Sequence, residues 1–260
     1  MTESPAEDPS AGAVAGPGNS PGTSPAAGGA RWPVQLPGAF ADPGYADAVV
    51  DLLGVIAYGE LSAFERLSED AKMAPTLRDR AELARMAATQ VAHFDVLAAR
   101  LSELGVDPFA AVAEFAAPFE AFHHRTVPAD WLEGLIKAYV GDGLAADFYR
   151  EVSAFVDADT RAIIVESLAD AGQAEFVVDR VRAAIAAEPR VGGRLALWGR
   201  RLMGEALSQA QRVAAERDAL TALLSGGTDR PALDLAAMGR MFTRLTENHS
   251  ERMDALGLSA

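Results

Sequence analysis

The sequence of 260 residues contains no cysteine. This absence excludes disulfides, zinc–thiolate sites and iron–sulfur clusters, so any bound metal must be held by Asp, Glu, His or amide oxygen. Long apolar runs are also missing. No stretch approaches the roughly 18 uninterrupted apolar residues of a membrane-spanning helix, and the basic start and apolar run of a secretory signal are absent. We therefore expect a cytoplasmic protein without a membrane partner.

Basic residues are in the minority, and the net charge of -14 opposes attraction to nucleic acid or anionic membranes. One segment is an exception. From Arg180 to Arg217, eight arginines accompany three acidic residues, which gives a local balance of +5. A solvated helix face and a dock for a polyanion are the two interpretations of this segment, and the solvated face is favoured.

The first 40 residues lack apolar periodicity. They hold 7 of the 14 prolines and 7 of the 23 glycines, and such a segment cannot bury enough surface to offset its ordering entropy. The sequence therefore predicts a disordered head over residues 1–40. Residues 41–260 have the length and apolar content of one domain with a sizeable core.

Helical periodicity dominates the rest of the chain, and no segment has a convincing strand pattern. Asp42 and Thr76 are the predicted N-caps of the first two helices, and the second helix is predicted to end at Gly105. A shorter crossover helix is predicted over residues 108–124, which would bring a second helical hairpin alongside the first. Later helices are predicted over residues 128–155, 157–188, 191–224 and from 228 to 256. The expected fold is all-α, a four-helix bundle with additional C-terminal helices.

A pattern of polar residues recurs along these predicted helices. A carboxylate is followed, after 30 residues in one copy and 28 in the other, by a pair of residues at positions i and i+3. The six members are Glu60 with Gln90 and His93, and Asp142 with Asp170 and Gln173. All lie within apolar helical stripes, and burying an unpaired carboxylate costs several kcal/mol. Converging carboxylates therefore need a cation, shared protons or water, and a divalent metal compensates them best.

Two such hairpins hold two metal ions in the core of ferritin-like bundles. In this chain Glu60 and His93 would hold one ion with Asp170 as a bridge, while Asp142, Asp170 and the amide oxygen of Gln173 would hold a second. A neutral amide is a weaker iron ligand than imidazole, so the second position would bind less tightly or take manganese-like or magnesium-like ions. The two glutamines are better suited to hydrogen bonding the neighbouring carboxylates. One ion, two ions and no ion all remain open.

Three further histidines have no partner at ligand spacing. His123 and His124, in the crossover segment, are predicted on the surface, and His249 is predicted to be structural, near a helix end. Glycine-rich phosphate loops and serine elbows are absent from the sequence.

Two local stretches resemble a known family. Residues from Tyr139 to Arg150 and from Leu168 to Phe176 are similar to the ferritin-like, MiaE-like proteins of actinobacteria, and the likeness covers residues 42–256. The family is named for the tRNA 2-methylthio-isopentenyl-adenosine hydroxylase, a non-haem diiron monooxygenase. The resemblance implies an iron-dependent hydroxylase with one or two iron ions, or manganese, at the six positions named above. It also implies tRNA or a small molecule as the substrate, and a homodimer is left open.

The chain departs from the complete ligand set at Gln90 and Gln173, so the site lacks one carboxylate and one imidazole. Diiron oxygen activation depends on carboxylate charge and bridging. The alternative function is a bundle without redox chemistry that acts as a binding or scaffold protein, with its acidic core holding protons, water or a structural ion. Iron oxidation and storage is a third option. It is less favoured, because storage needs a protein cage and nothing in the sequence specifies one.

Overall fold

The first long helix, α1, spans Pro43–Asp70 and begins where the sequence predicts. The carboxylate of Asp42 accepts a hydrogen bond from the backbone N–H of Gly44 at 3.0 Å. Pro43 occupies the first helical position, where its missing N–H leaves no helical hydrogen bond unmade. The predicted cap is therefore confirmed, and it fixes where α1 starts.

The second helix, α2, spans Leu77–Glu103 and packs along α1 as the other arm of a hairpin. The hydroxyl of Thr76 accepts from the backbone N–H of Asp79 at 3.1 Å, which confirms the second predicted cap. The chain leaves α2 through Gly105, whose φ of +78° lies in the left-handed region that favours glycine.

This computed structural model describes residues 38–169, 173–225 and 234–260, and every regular element in those ranges is helical. The predicted all-α class is confirmed. The remaining helices are α3 Pro108–Ala113, α4 Ala116–Arg125, α5 Trp131–Ile136, α6 Asp142–Ser153, α7 Ala158–Ser167, α8 Gln173–Ala187, α9 Arg190–Glu216, α10 Asp218–Ser225 and α11 Leu235–Ala255. The predicted head lies outside the described residues up to position 37, and Gly38–Ala41 forms a single 3-10 turn before α1.

Several predicted helices are divided in the structure. The crossover consists of the two short helices α3 and α4. The helix predicted over residues 128–155 starts only at Trp131, because Asp130 caps it, and it contains a π-helical turn, Lys137–Gly141, between α5 and α6. The helix predicted over residues 191–224 is divided at Arg217. Its guanidinium donates to the carboxylate and the backbone carbonyl of Glu114, and this long-range contact holds the chain between α9 and α10.

The helix predicted over residues 157–188 is also not continuous: α7 ends at Ser167 and α8 begins at Gln173. The Ser167 hydroxyl donates to the carbonyl of Ile164 at 2.9 Å, and Arg150 donates to the carbonyl of Leu168 at 3.0 Å. These contacts satisfy carbonyl groups at the end of α7 without a further helical turn. The prediction of one continuous helix here was wrong.

The core consists of two hydrophobic clusters separated by a polar level. Val49, Leu53 and Ile56 of α1 belong to the first cluster, and Leu67 of the same helix belongs to the second. Glu60 lies on α1 between these two groups, so the fold places it where the two halves of the core meet. Among the described residues, no helix combines the length and apolar character needed to cross a bilayer.

Candidate functional site

Glu60 is buried at the centre of the bundle, with 9% of its surface exposed. Its Oε2 atom lies 3.4 Å from Nδ1 of His93 on the neighbouring helix α2, which is long for a hydrogen bond. That buried oxygen has no hydrogen-bond partner among the described residues. Burial raises the pKa of Glu60 above its usual range, and the nearby His93 ring opposes the rise. The structure thus brings together the first carboxylate and the histidine of the sequence pattern.

Asp142 is the first residue of α6, directly after the π-helical turn. Protein surrounds it, yet its side chain is accessible because it borders an internal cavity that Glu60 also lines. Burial, with the negative charge of Glu60 adding to it, raises the pKa of Asp142 to about 8, while the ammonium of Lys137 opposes the rise. π-helical turns occur often at functional sites. The two carboxylates therefore face one cavity and interact through it.

The structure describes the other three predicted site residues to different extents. Gln90 is 8% exposed and lines the same cavity as the two carboxylates. Asp170 lies outside the described residues. Gln173 is the first residue of α8, and its side chain also lies outside the described part of the structure. The assignment of these two residues stays a prediction.

The described side chains do not by themselves form a metal site. Across residues 38–169, 173–225 and 234–260, no group of three or more His, Asp or Glu side chains is arranged to hold one ion. Glu60 and His93 form a pair, whereas protein metal sites generally use three or more protein ligands. The orphaned oxygen of Glu60 fits a cation, but the described donor set does not fit a diiron centre, which needs several more carboxylate and imidazole ligands.

The cavity that Glu60, Gln90 and Asp142 line has a volume of about 260 Å³. One face of α1 lines it continuously, through residues spaced three and four apart from Leu52 to Asp70. Helices α4, α6, α9 and α10 supply the other walls, and most of those side chains are apolar. The cavity therefore has an apolar half around Leu52 and a more polar half beyond Glu60.

Four polar residues form the wall between this cavity and a second cavity of about 240 Å³. They are Arg66, Asp70, His123 and Lys137. The second cavity is also lined by exposed residues, among them Val127, so it opens towards solvent. We call these four residues the polar portal, because they lie between the second cavity and the cavity that Glu60 and Asp142 line.

Sequence reasoning missed His123, which it placed on the surface. His123 is half-buried, and its Nε2 atom lies 2.6 Å from the hydroxyl oxygen of Ser62. Burial, together with the positive charges of Lys137 and Arg66, lowers the pKa of His123 to about 3. The prediction was wrong because Phe119, Phe122 and His123 share one helix face that turns inward; this 3,4 spacing was the available signal. His124 is exposed, as predicted.

Lys137 was also missed, and it is 6% exposed. Its Nζ donates to the backbone carbonyl of Thr126 at 2.7 Å. Burial lowers the pKa of Lys137 to about 8, and the carboxylate of Asp70 opposes that change. Burial in turn raises the pKa of Asp70 to about 6, against the effect of Lys137. A charged residue within the apolar run from Leu135 to Val140 was the sequence signal for a buried cation.

The arginine-rich segment, residues 180–217, is mostly engaged within the chain. Six of its eight arginines donate hydrogen bonds to other elements, and they are Arg180, Arg182, Arg194, Arg200, Arg201 and Arg217. Arg194, for example, reaches Glu133 and Asp130 at the start of α5. These guanidinium groups connect α8 and α9 to neighbouring elements, and six of the eight arginines are exposed, which agrees with the favoured interpretation of a solvated face.

Comparison with known protein families identifies a matching family. A family described as "Ferritin-like domain, actinomycetes" matches residues 43–227, which is more than half of the chain. No curated protein sequence matches the chain significantly. The match begins at the first residue of α1 and includes α1, α4, α6, α9 and α10, which line most of the cavity.

Proposed function

The chain belongs to the family of actinomycete ferritin-like domains, and on this premise we propose that it is a cytoplasmic binding protein that encloses a small apolar molecule in its bundle. The cavity beside α1 is the observation that supports this function. Its volume of about 260 Å³ lies near the lower end of the range typical of small-ligand pockets, roughly 300–1,000 Å³.

The composition of the cavity wall supports a binding role. Ligand pockets are mostly apolar with a few converging polar groups that orient the ligand. Here Val55, Val213 and Leu224 contribute apolar surface from three different helices, whereas Glu60 and Asp142 contribute the polar groups. A small apolar molecule would bury its surface against the former and meet the latter at one end.

Filling the cavity should therefore weaken binding. In Ala210→Phe, the new ring extends from α9 into the cavity and removes on the order of 60 Å² of apolar contact, or about 1.5 kcal/mol. We expect the dissociation constant of the neutral dye N-phenylnaphthylamine, measured by fluorescence titration, to rise by about tenfold. The matched control is Ala215→Phe, on the exposed side of the same helix, which should bind as the wild type does. Equal affinities for the two variants would contradict the proposal.

A second candidate function is the one that the resemblance implies, an iron-dependent hydroxylase of the MiaE-like type. The orphaned oxygen of Glu60 beside His93 favours it, because a cation would satisfy that oxygen. These two side chains and Asp142 would hold iron only together with Asp170 and the amide of Gln173, as the sequence pattern predicts. Bound iron would supply oxygen activation for hydroxylation of tRNA or a small molecule.

Metal analysis tests this second function directly. Iron is added to the purified protein without oxygen, bound iron is counted, and oxygen uptake is then measured. A hydroxylase should bind at least one iron per chain and consume oxygen, whereas a binding protein should consume none. Gln90→Glu combined with Gln173→His restores the missing carboxylate and imidazole, so it should raise the bound iron. Unchanged iron content in this double variant would show that the ligand assignment is wrong.

A further inference from the structure

We infer that the cavity takes an elongated amphipathic molecule whose polar end is a primary amine, with that amine at Glu60 and its chain in the apolar half. This inference rests on the proposed binding function and names its ligand class. Two independent features of the described residues carry it: the shape of the cavity, in which Glu60 is the first charged residue next to the apolar half, and the unpartnered oxygen of Glu60.

The shape of the cavity follows from its contact with α1. Its lining runs along one face of that helix from Leu52 to Asp70, which corresponds to about 27 Å at roughly 1.5 Å per residue. The polar groups are not scattered along this length. Leu52, Val55 and Ile56 line one end, and the first charged residue of α1 on this face is Glu60. A molecule that matches this order has a long apolar portion and a single polar end.

The polar end must donate hydrogen bonds. Oε2 of Glu60 is buried and has no hydrogen-bond partner among the described residues, and His93 approaches it only to 3.4 Å. A buried acceptor without a partner is unfavourable, so a ligand that donates a hydrogen bond to it is stabilised. Asp142 borders the same part of the cavity and adds a second acceptor. A primary amine offers three N–H donors and a compact charge of the opposite sign.

A carboxylate at the same position would meet less favourable partners. Of the two cations of the polar portal, Lys137 donates to the carbonyl of Thr126 at 2.7 Å, and Arg66 pairs with Glu69 at 2.9 Å but has a buried Nε without a partner among the described residues. A carboxylate would also approach the acidic groups of Glu60 and Asp142. The order of charges along the cavity therefore favours an amine over an acid of the same chain length.

Calorimetric titration with decylamine, decanol and decanoate tests the head group at constant chain length. We expect the wild type to bind decylamine about tenfold or more tightly than decanoate. Glu60→Gln keeps the size of the side chain and removes its charge, and it should abolish this preference. Glu175→Gln removes one charge from the exposed side of α8 and should preserve the preference. Titrations at high salt screen general attraction between the amine and the acidic surface of the protein.

The outcomes separate this inference from the proposed function. Equal affinities for the three compounds, or an amine preference that persists in Glu60→Gln, would overturn the amine assignment. Tighter binding of decanoate, lost in Lys137→Met, would also overturn it and would place an acid at the polar portal. In each of these cases the cavity still binds an apolar chain and the proposed function stands. Absence of binding by all three compounds and by N-phenylnaphthylamine would overturn both.

Discussion

Asp147→Ala should destabilise the fold by about 3–5 kcal/mol, because it leaves an arginine whose side chain is only 14% exposed without its counter-ion. Asp147 lies on α6 and is 8% exposed. Its Oδ2 atom accepts a hydrogen bond from Arg252 of α11 at 2.6 Å. Nε and one terminal nitrogen of that guanidinium are already without partners in the described part of the chain. Arg252 also packs against the bare backbone of Gly143, which restricts its movement towards solvent.

Urea unfolding at neutral pH measures this loss of stability, and two further variants serve as controls. Arg150 also pairs with Asp147, at 3.3 Å, but its side chain is half-exposed, so Arg150→Ala should cost no more than about 1 kcal/mol. Asp147→Leu combined with Arg252→Met replaces the pair by apolar side chains and should recover most of the lost stability. An Asp147→Ala variant within about 1 kcal/mol of the wild type would show that α11 docks on α6 without this ion pair.

Helix beginnings were predictable because they depend on neighbouring residues. The caps at Asp42 and Thr76 each satisfy a backbone N–H within three residues, so local sequence contains the whole interaction. The division between α7 and α8 was not predictable in this way. It involves a hydrogen bond from Arg150 to the carbonyl of Leu168, two residues that are distant in the sequence. Local apolar periodicity continues through the break and gives no sign of it.

The pairing of Glu60 with His93 was predictable for a different reason. A hairpin of two antiparallel helices places residues at matching distances from its turn side by side, so the spacing of 33 residues between Glu60 and His93 brings the α1 carboxylate to the α2 imidazole. The convergence of Asp142 on the same cavity follows from the second copy of the pattern. The sequence thus predicted which of the described groups meet, although the described groups alone do not complete a metal site.

The cavity itself could not be predicted from sequence patterns. It exists because α1 and α6 face each other across a gap that α9 and α10 close from the side. The small residues Ala63, Ala145 and Ala210 line that gap, yet alanines on a bundle stripe equally well allow close helix packing. Whether these alanines line a cavity or allow close packing depends on the distance between helices that are far apart in the sequence. The same holds for His123, whose inward direction depends on how α4 docks.

His123 gives the second large expected effect, because its ring is held neutral within the fold. Burial and the charges of Lys137 and Arg66 lower the pKa of His123 to about 3, whereas an exposed histidine has a pKa near 6.5. Between these values the unfolded chain binds a proton that the folded chain does not. The contribution of His123 to stability is therefore fully present above about pH 6.5 and is lost progressively as the pH falls towards 3.

His123→Gln should consequently change how stability depends on pH. Relative to the variant, the wild type should lose about 2 kcal/mol of unfolding free energy between about pH 7.5 and about pH 5, as measured by urea unfolding. Asp70, whose pKa is raised to about 6 by burial, acts in the opposite direction, but it is present in both proteins and cancels in the comparison. His124→Gln, at the exposed neighbouring position, should follow the wild type. A constant difference between wild type and His123→Gln across this range would mean that the ring accepts its proton without leaving the bundle.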